Sequence, residues 1–256
     1  MSSPSKLAAN RKLLLISNSY SRIGGKKSQF LEYYLEAIRY FLFGRKTVVF
    51  IPFAKAEKDW DDYTRIAAAA LSTIGVNVIG IHEANDYMKL INEAEAIMIG
   101  GGNTYRLAQT MQTWELFGPI ARKVVHGGIP YIGASAGSVI ACPEFRTTND
   151  KPIARTNDWA GLGIFPWQVN PHYFDPPPGS TYMGETRLEQ MQEFYSHPEN
   201  KLTTIVGLCE DCWLEVADNK VLLQGEHPAK LFRPGQYDPP IDWQCQTRLD
   251  LPDDWR

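Results

Sequence analysis

The chain has 256 residues, of which 44% are hydrophobic and 21% are charged, an ordinary globular composition for one large α/β domain. Its net charge of −3 gives no reason to expect a nucleic-acid or anionic-membrane partner, and no apolar run reaches membrane-spanning length. The first ten residues are polar and small and contain no apolar leader segment, so a cytoplasmic protein is expected.

Strand-like and helix-like segments alternate through the first half of the sequence. Short apolar runs predict five strands, at 12–17, 47–53, 76–81, 96–99 and 129–132. Helical spacing of apolar residues predicts helices over 28–43, 60–74 and 87–94, and two more over 103–125 with a break near Phe117. Continuous apolar strands between helices indicate a parallel sheet that is covered on both faces. We therefore expect a three-layer, doubly wound α/β fold of Rossmann-like or flavodoxin-like type, with ligands beyond the carboxyl ends of the strands.

The second half of the sequence is richer in loops. It predicts a strand at 165–169, a rigid proline loop at 175–179 and a helix at 186–196. Four short strands that pair antiparallel beside the main sheet are predicted at 202–208, 213–216, 220–223 and 229–232. Residues 1–11 and 236–256 are expected to be peripheral tails. Since no repeat or linker divides the chain, we interpret it as a single domain.

The most informative pattern lies at a strand–turn–helix junction. Gly133-Ala134-Ser135-Ala136-Gly137 follows an apolar run and matches the G-x-S-x-G nucleophile elbow. The sharp bend pushes the Ser135 hydroxyl outward, and the flanking glycines avoid clashes there. The Ala136 amide, at the start of the helix, faces the carbonyl that the serine attacks. The alternative interpretation is that Ser135 is an ordinary helix cap.

A serine nucleophile needs a base, and the base needs a carboxylate that orients it. Among the five histidines, His172 is favoured because its loop follows the strand predicted at 165–169, which Asn170-Pro171 is expected to end. Asp150, in the polar loop after the elbow helix, and Glu210, at the end of a strand, both suit the third position. The residues alone do not choose between these two carboxylates.

A glycine run follows the fourth predicted strand. Gly100-Gly101-Gly102 matches neither a dinucleotide fingerprint nor a Walker loop. Because it lies beside the elbow strand, we expect the amides of Gly101 and Gly102 to complete an oxyanion hole with that of Ala136. Cys209 and Cys212 form a lone C-x-x-C with no further ligands nearby in the sequence, so no metal or cofactor is predicted.

Taken together, these segments resemble the α-aspartyl dipeptidases of serine peptidase family S51, the peptidase E family. The resemblance covers roughly residues 12–232. The matching segments, in chain order, are Leu14-Leu15-Ile16-Ser17-Asn18-Ser19, Phe50-Ile51-Pro52-Phe53-Ala54, Trp60-Asp61-Asp62-Tyr63, Gly100-Gly101-Gly102-Asn103-Thr104, the elbow, Arg146 to Ile153, Asn170-Pro171-His172 and Gly184-Glu185-Thr186-Arg187.

The resemblance implies an α/β fold related to class I glutamine amidotransferases and hydrolysis of dipeptides with an N-terminal aspartate, without a cofactor. It makes Ser135 the nucleophile and His172 the base. For the orienting carboxylate it supports both Asp150 and Glu210, and we favour Asp150. Glu210 lies between a cysteine and Asp211, where the family more often has Pro and Gly.

Selectivity for aspartate requires a cation near the substrate side chain, and arginine fits a carboxylate best. Arg187 is expected to supply it, with Arg146 as the second choice. The substrate amine is expected to meet a carboxylate, which is Glu210 if Asp150 serves the triad. The alternatives are a cyanophycinase-like β-aspartyl peptidase and a non-catalytic peptide-binding module on the same scaffold; a homodimer is left open.

Overall fold

The computed structural model describes residues 11–23, 25–177, 179–181, 183–252 and 255. The α-helices in these residues are α1 (Leu35–Leu42), α2 (Trp60–Ser72), α3 (Tyr87–Glu93), α4 (Thr104–Thr113), α5 (Phe117–Val125), α6 (Ala136–Ile140) and α7 (Arg187–Ser196). The strands are β1 (Lys12–Ile16), β2 (Arg22–Ile23), β3 (Lys26–Lys27), β4 (Thr47–Ile51), β5 (Asn77–Gly80), β6 (Ile97–Ile99), β7 (Pro130–Ala134), β8 (Gln168–Tyr173), β9 (Ile205–Cys209), β10 (Cys212–Ala217), β11 (Lys220–Gly225), β12 (Ala229–Arg233), β13 (Gln236–Trp243) and β14 (Arg248–Asp250).

Eight strands form the main sheet, in the spatial order β14-β11-β10-β1-β7-β6-β4-β5. The strands from β1 to β5 in this order are parallel, and β10, β11 and β14 extend the sheet by antiparallel pairing. Leu13 and Leu15 enter a core shared with α4 and α5, whereas Leu14 and Ile16 enter a core shared with α1 and α2. A strand buried on both faces needs a continuous apolar run, which explains the sequence of β1. The predicted, mostly parallel α/β fold is confirmed.

Four further strands form a second sheet in the order β13-β12-β9-β8, where β8 and β9 are parallel and the other pairs antiparallel. The strand predicted at 165–169 lies instead at Gln168–Tyr173, so the expectation that Asn170-Pro171 ends it is wrong. Proline is tolerated because β8 is an edge strand, where one side needs no backbone donor. The register with β9 shifts around His172, which therefore lies in a bulged strand and not in a loop.

The other short strands divide between the two sheets. β10 and β11 pair antiparallel beside the main sheet as expected, whereas β9 and β12 belong to the second sheet. The tail over 236–256, expected to be peripheral, supplies β13 and β14. Its Pro239 and Pro240 fit because β13 is the other edge of the second sheet.

The largest difference from a predicted helix boundary is at the first helix. The helix predicted over 28–43 begins at Leu35, after a 3-10 turn at Glu32–Tyr34. The break predicted near Phe117 falls just before it, and Phe117 begins α5. Pro119 is accommodated in the first turn of α5, where its missing N–H costs no helical hydrogen bond. Among the helices that the structure describes, none has the length and apolarity needed to cross a bilayer.

The close approach of α6 to β6 depends on Gly137. A Cβ added there would lie 2.1 Å from the Ile99 carbonyl oxygen, so backbone would have to move. We expect Gly137→Ala to lower the free energy of unfolding by about 1–3 kcal/mol, measured by urea denaturation. Gly118→Ala is the matched control, since its methyl group would meet only the end of the Arg122 side chain, at 3.1 Å. Equal losses in the two variants would contradict the packing argument.

Candidate active site

Ser135 lies between the last residue of β7 and the first residue of α6, where the elbow pattern predicts it. Its backbone has φ 52° and ψ −110°, a strained conformation for a residue other than glycine. A Cβ added to Gly133 would lie 2.5 Å from the Gly137 carbonyl oxygen, so the bend requires a glycine there. These small residues permit a turn that presents the serine to a cavity.

Two consecutive hydrogen bonds connect the serine hydroxyl to a histidine and that histidine to a glutamate. Ser135 Oγ lies 2.8 Å from His172 Nε2, and His172 Nδ1 lies 2.7 Å from Glu210 Oε1. With its proton on Nδ1 and directed at Glu210, the imidazole can accept the serine proton through Nε2. The arrangement has the three parts that an activated serine requires: nucleophile, base and orienting carboxylate.

Glu210 occupies the turn between β9 and β10. The hydrogen bond with His172 lowers the pKa of Glu210 below its ordinary value, while partial burial acts in the opposite direction. The carboxylate is therefore ionised at neutral pH and can accept the Nδ1 proton of the histidine. At 60% exposure, its side chain is also accessible to water.

Asp150, the carboxylate favoured from the sequence, forms its hydrogen bonds elsewhere. Its Oδ2 atom accepts from the Thr104 amide at 2.8 Å, the Thr104 hydroxyl at 2.7 Å and the Thr148 hydroxyl at 3.1 Å. These bonds hold it at the start of α4, where the helix dipole favours a negative charge. The structure pairs His172 with Glu210 and not with Asp150, which corrects the preference drawn from the sequence.

Three backbone amides near the serine were predicted to bind an oxyanion, those of Gly101, Gly102 and Ala136. Ala136 is the first residue of α6, so its amide has no partner within the helix. Gly102 has φ 147°, and a Cβ added to it would lie 2.4 Å from the Ala54 carbonyl oxygen. Within the described residues, neither the Ala136 nor the Gly102 amide has an acceptor. The Gly101 amide, by contrast, donates to the Tyr63 hydroxyl at 2.8 Å, so the prediction that it faces the oxyanion is wrong.

A cavity of about 620 Å³, called here the serine cavity, opens in front of the nucleophile. Neither arginine predicted to bind substrate lines it. Arg146 forms ion pairs with Glu144 and Glu199, and its second-choice role at the substrate side chain stays a prediction. Arg187 lines an adjacent cavity of about 720 Å³ that shares His172 with the serine cavity.

Two polar residues that follow β1 position the site, although no role for either was predicted from the sequence. The buried Ser17 hydroxyl donates to the Leu208 carbonyl and accepts from the His172 amide, both at 2.9 Å. Asn18 Oδ1 accepts from the Asp211 amide at 2.8 Å. The signal in the sequence was a polar run at the carboxyl end of a buried strand, the place where open α/β sheets bind ligands.

The two cysteines of the C-x-x-C pattern flank the turn that contains Glu210, at the end of β9 and the start of β10. The Cys212 thiol donates to the His227 carbonyl at 3.2 Å, and the Cys209 thiol to the Pro228 carbonyl at 3.4 Å. Burial raises the pKa of Cys209 to about 11 and that of Cys212 to about 12. Both thiols are therefore protonated at neutral pH, a form that is neither a good nucleophile nor a good metal ligand.

Comparisons with known proteins identify the family of the chain. The profile of peptidase family S51 matches residues 13–224. The chain is 42% identical over 223 residues to a peptidase E from Streptomyces coelicolor, covering 87% of this chain and 88% of that protein. It is 41% identical over 225 residues to a peptidase E from Salmonella typhimurium, covering 88% of this chain and 94% of that protein. Its fold is similar to a crystal structure of a peptidase from an acI-B1 Actinobacterium, with a TM-score of 0.68 and 15% identity over 95% of this chain and 98% of that one.

Labelling with a fluorophosphonate, followed by mass spectrometry, tests which carboxylate supports the serine. We expect Ser135 to be modified and Ser135→Ala to stay unlabelled. Glu210→Gln should slow labelling at least about tenfold, since an amide in this position favours the wrong tautomer of His172. Asp150→Asn should slow it much less, because Asp150 is not hydrogen-bonded to the histidine. Equal slowing by the two variants would contradict the pairing of His172 with Glu210.

The Ser17 hydroxyl is expected to support activity through the position of His172. Ser17→Ala should lower the free energy of unfolding by about 1–3 kcal/mol, because two buried backbone groups lose their partner, and should lower kcat more than it raises KM. Ser28→Ala is the matched control, because its hydroxyl also bridges two backbone groups, the Ser21 amide and the Gln29 carbonyl. It should lose stability and keep kcat. Full kcat in Ser17→Ala would show that this hydroxyl does not position the base.

Proposed function

The chain belongs to peptidase family S51 and is a serine dipeptidase, and we propose that it hydrolyses dipeptides whose first residue is aspartate. The observation that carries the proposed mechanism is the line of hydrogen bonds from Ser135 through His172 to Glu210, at 2.8 and 2.7 Å. The preference for aspartate is supported by the ordered segments that resemble α-aspartyl dipeptidases.

In the acylation step, His172 Nε2 takes the proton of Ser135 as the hydroxyl oxygen attacks the aspartyl carbonyl carbon. The carbonyl oxygen becomes an oxyanion, and the free amides of Ala136 and Gly102 donate hydrogen bonds to it. Glu210 stabilises the imidazolium that forms, through the hydrogen bond at Nδ1. Both charges that develop in this step, on the oxyanion and on the imidazolium, are therefore stabilised by hydrogen bonds.

Collapse of the tetrahedral intermediate breaks the peptide bond. His172 gives its proton to the leaving amine, the second residue departs, and an aspartyl ester of Ser135 remains. Water then loses a proton to His172 and attacks the ester carbonyl. The second collapse releases aspartate and returns the proton to the serine oxygen.

Asp150 is the group that we assign to the free amine of the substrate. It lines the serine cavity, and its three hydrogen bonds all involve Oδ2. No donor among the described residues reaches Oδ1, which can accept from a substrate ammonium group. This exchanges the roles expected from the sequence: Glu210 orients the base, and Asp150 binds substrate.

Arg187 remains our candidate for the aspartyl side chain. Its Nη1 atom donates to Gln190 Oε1 at 2.8 Å, while its buried Nε atom has no hydrogen-bond partner in the part of the chain that the structure describes. It borders the catalytic histidine from the adjacent cavity. A guanidinium fits a carboxylate through two parallel hydrogen bonds, which is the geometry that this role needs.

We place the protein in the cytoplasm. Its four cysteines, at positions 142, 209, 212 and 245, are all free thiols. Free thiols are typical of a reducing compartment, whereas secreted proteins of this size commonly pair theirs.

A panel of X-Leu dipeptides tests the substrate class. We expect kcat/KM for Asp-Leu to exceed that for Asn-Leu and Ala-Leu at least about tenfold, since a hydrogen bond to a charged group contributes about 1.5–3 kcal/mol. Faster hydrolysis of a β-aspartyl-arginine dipeptide would favour a cyanophycinase-like peptidase instead. Tight peptide binding without turnover would favour a non-catalytic module.

Asp150→Asn tests the assignment of the amine. We expect its KM for Asp-Leu to rise about tenfold with a smaller change in kcat, because the ammonium group loses its counter-ion. Asp218→Asn, in the hairpin between β10 and β11, is the matched control for loss of one negative charge and should behave like the wild type. N-acetyl-Asp-Leu, which has no ammonium group, should be hydrolysed equally by wild type and Asp150→Asn. An equal loss on both substrates would contradict this role.

A further inference from the structure

The serine cavity contains a cation that the proposed mechanism does not use. Lys55 lines the cavity together with the nucleophile and Gly102. Asp59 and Asp62 also line it, yet Lys55 takes part in no ion pair with any residue that the structure describes. An exposed lysine without a counter-ion can pair with a carboxylate that a ligand brings.

The backbone of Lys55 is fixed beside the oxyanion site. Its carbonyl accepts from the Trp60 indole at 3.1 Å. The preceding residue, Ala54, accepts from the Asn103 amide at 2.9 Å and packs against Gly102. Lys55 therefore directly follows Ala54, the residue that packs against the proposed oxyanion donor Gly102.

The side chain of Lys55 is linked to the nucleophile by a short series of contacts. Its Nζ atom lies over the Tyr63 ring, 5.4 Å from the ring centroid. The Tyr63 hydroxyl accepts from the Gly101 amide at 2.8 Å. Gly101 in turn touches Ser135, because a Cβ added to it would lie 3.1 Å from the serine Cβ. The ammonium group and the nucleophile therefore border the same cavity and are joined through Tyr63 and Gly101.

We propose that Lys55 is a specificity-determining residue that binds a carboxylate of the dipeptide, an inference that rests on the proposed function. An Asp-X dipeptide carries two carboxylates, one on the aspartyl side chain and one at the C-terminus. Both present the same chemistry to an ammonium group. With Asp150 at the substrate amine, Lys55 gives the cavity one partner for each sign of charge on the substrate.

The experiment compares Lys55→Met with the wild type on Asp-Leu, Asn-Leu and Asp-Leu amide. We expect kcat/KM for Asp-Leu to fall about tenfold, mainly through KM, and Lys55→Arg to retain most of the activity. The loss caused by Lys55→Met should be absent on the substrate that lacks the carboxylate bound by Lys55. If the loss is absent on Asp-Leu amide, Lys55 binds the C-terminal carboxylate. If it is absent on Asn-Leu, Lys55 binds the aspartyl side chain. Lys58→Met is the matched control, because Lys58 is exposed on the same segment but does not line the cavity.

An equal loss on all three substrates, or no loss on any, overturns the inference. The proposed function is judged separately, by whether the wild type prefers Asp-Leu to Ala-Leu. If the wild type hydrolyses no dipeptide, the proposed function fails, and the comparison is made by calorimetric titration of Ser135→Ala, with and without Lys55→Met. Asp-Leu, Asn-Leu and Asp-Leu amide are the probes, and an affinity that Lys55→Met leaves unchanged for all three overturns the role of Lys55.

Discussion

Three consecutive residues at the end of β1 hold the site together. Each accepts a backbone N–H from a different part of the chain, at 2.8 to 2.9 Å: Ile16 from Ser135, Ser17 from His172 and Asn18 from Asp211. Because β1 is buried on both faces of the main sheet, its end is a fixed reference. The elbow, the bulged strand β8 and the turn after β9 are all positioned against it, which brings the second sheet to the first.

These hydrogen bonds hold three residues in backbone conformations that residues other than glycine rarely adopt. Ser135, His172 and Asp211 have φ angles of 52°, 55° and 62°. A non-glycine residue in such a region costs about 1–3 kcal/mol, so the hydrogen bonds from the end of β1 must offset the strain. The strain serves the geometry, because it turns the serine out of the elbow, moves the histidine out of the strand register and reverses the chain just after Glu210.

Local patterns in the sequence predicted the parts of the site that depend on local structure. The elbow serine follows from a G-x-S-x-G pattern after an apolar strand, and the core strands follow from their continuous apolar runs. The pairing of His172 with Glu210 could not be predicted from the residues, because it depends on β8 and β9 lying side by side in the second sheet. Asn170-Pro171 instead predicted the end of a strand, because proline is tolerated in this strand only since β8 lies at the edge of its sheet.

The charges of Asp150, Glu210 and Lys55 constrain which substrates the site can bind. The hydrogen bonds of Asp150 tie its Oδ2 atom to Thr104 at the start of α4, whereas Glu210 is hydrogen-bonded to His172 alone among the described residues. The serine cavity is thus lined by more carboxylates than cations. Such a cavity attracts a substrate ammonium group but repels the two carboxylates of an Asp-X dipeptide. Among the described residues, Lys55 is the one lysine or arginine that lines this cavity, so the proposed binding of an anionic dipeptide depends on Lys55 more than on Arg146, which does not line it.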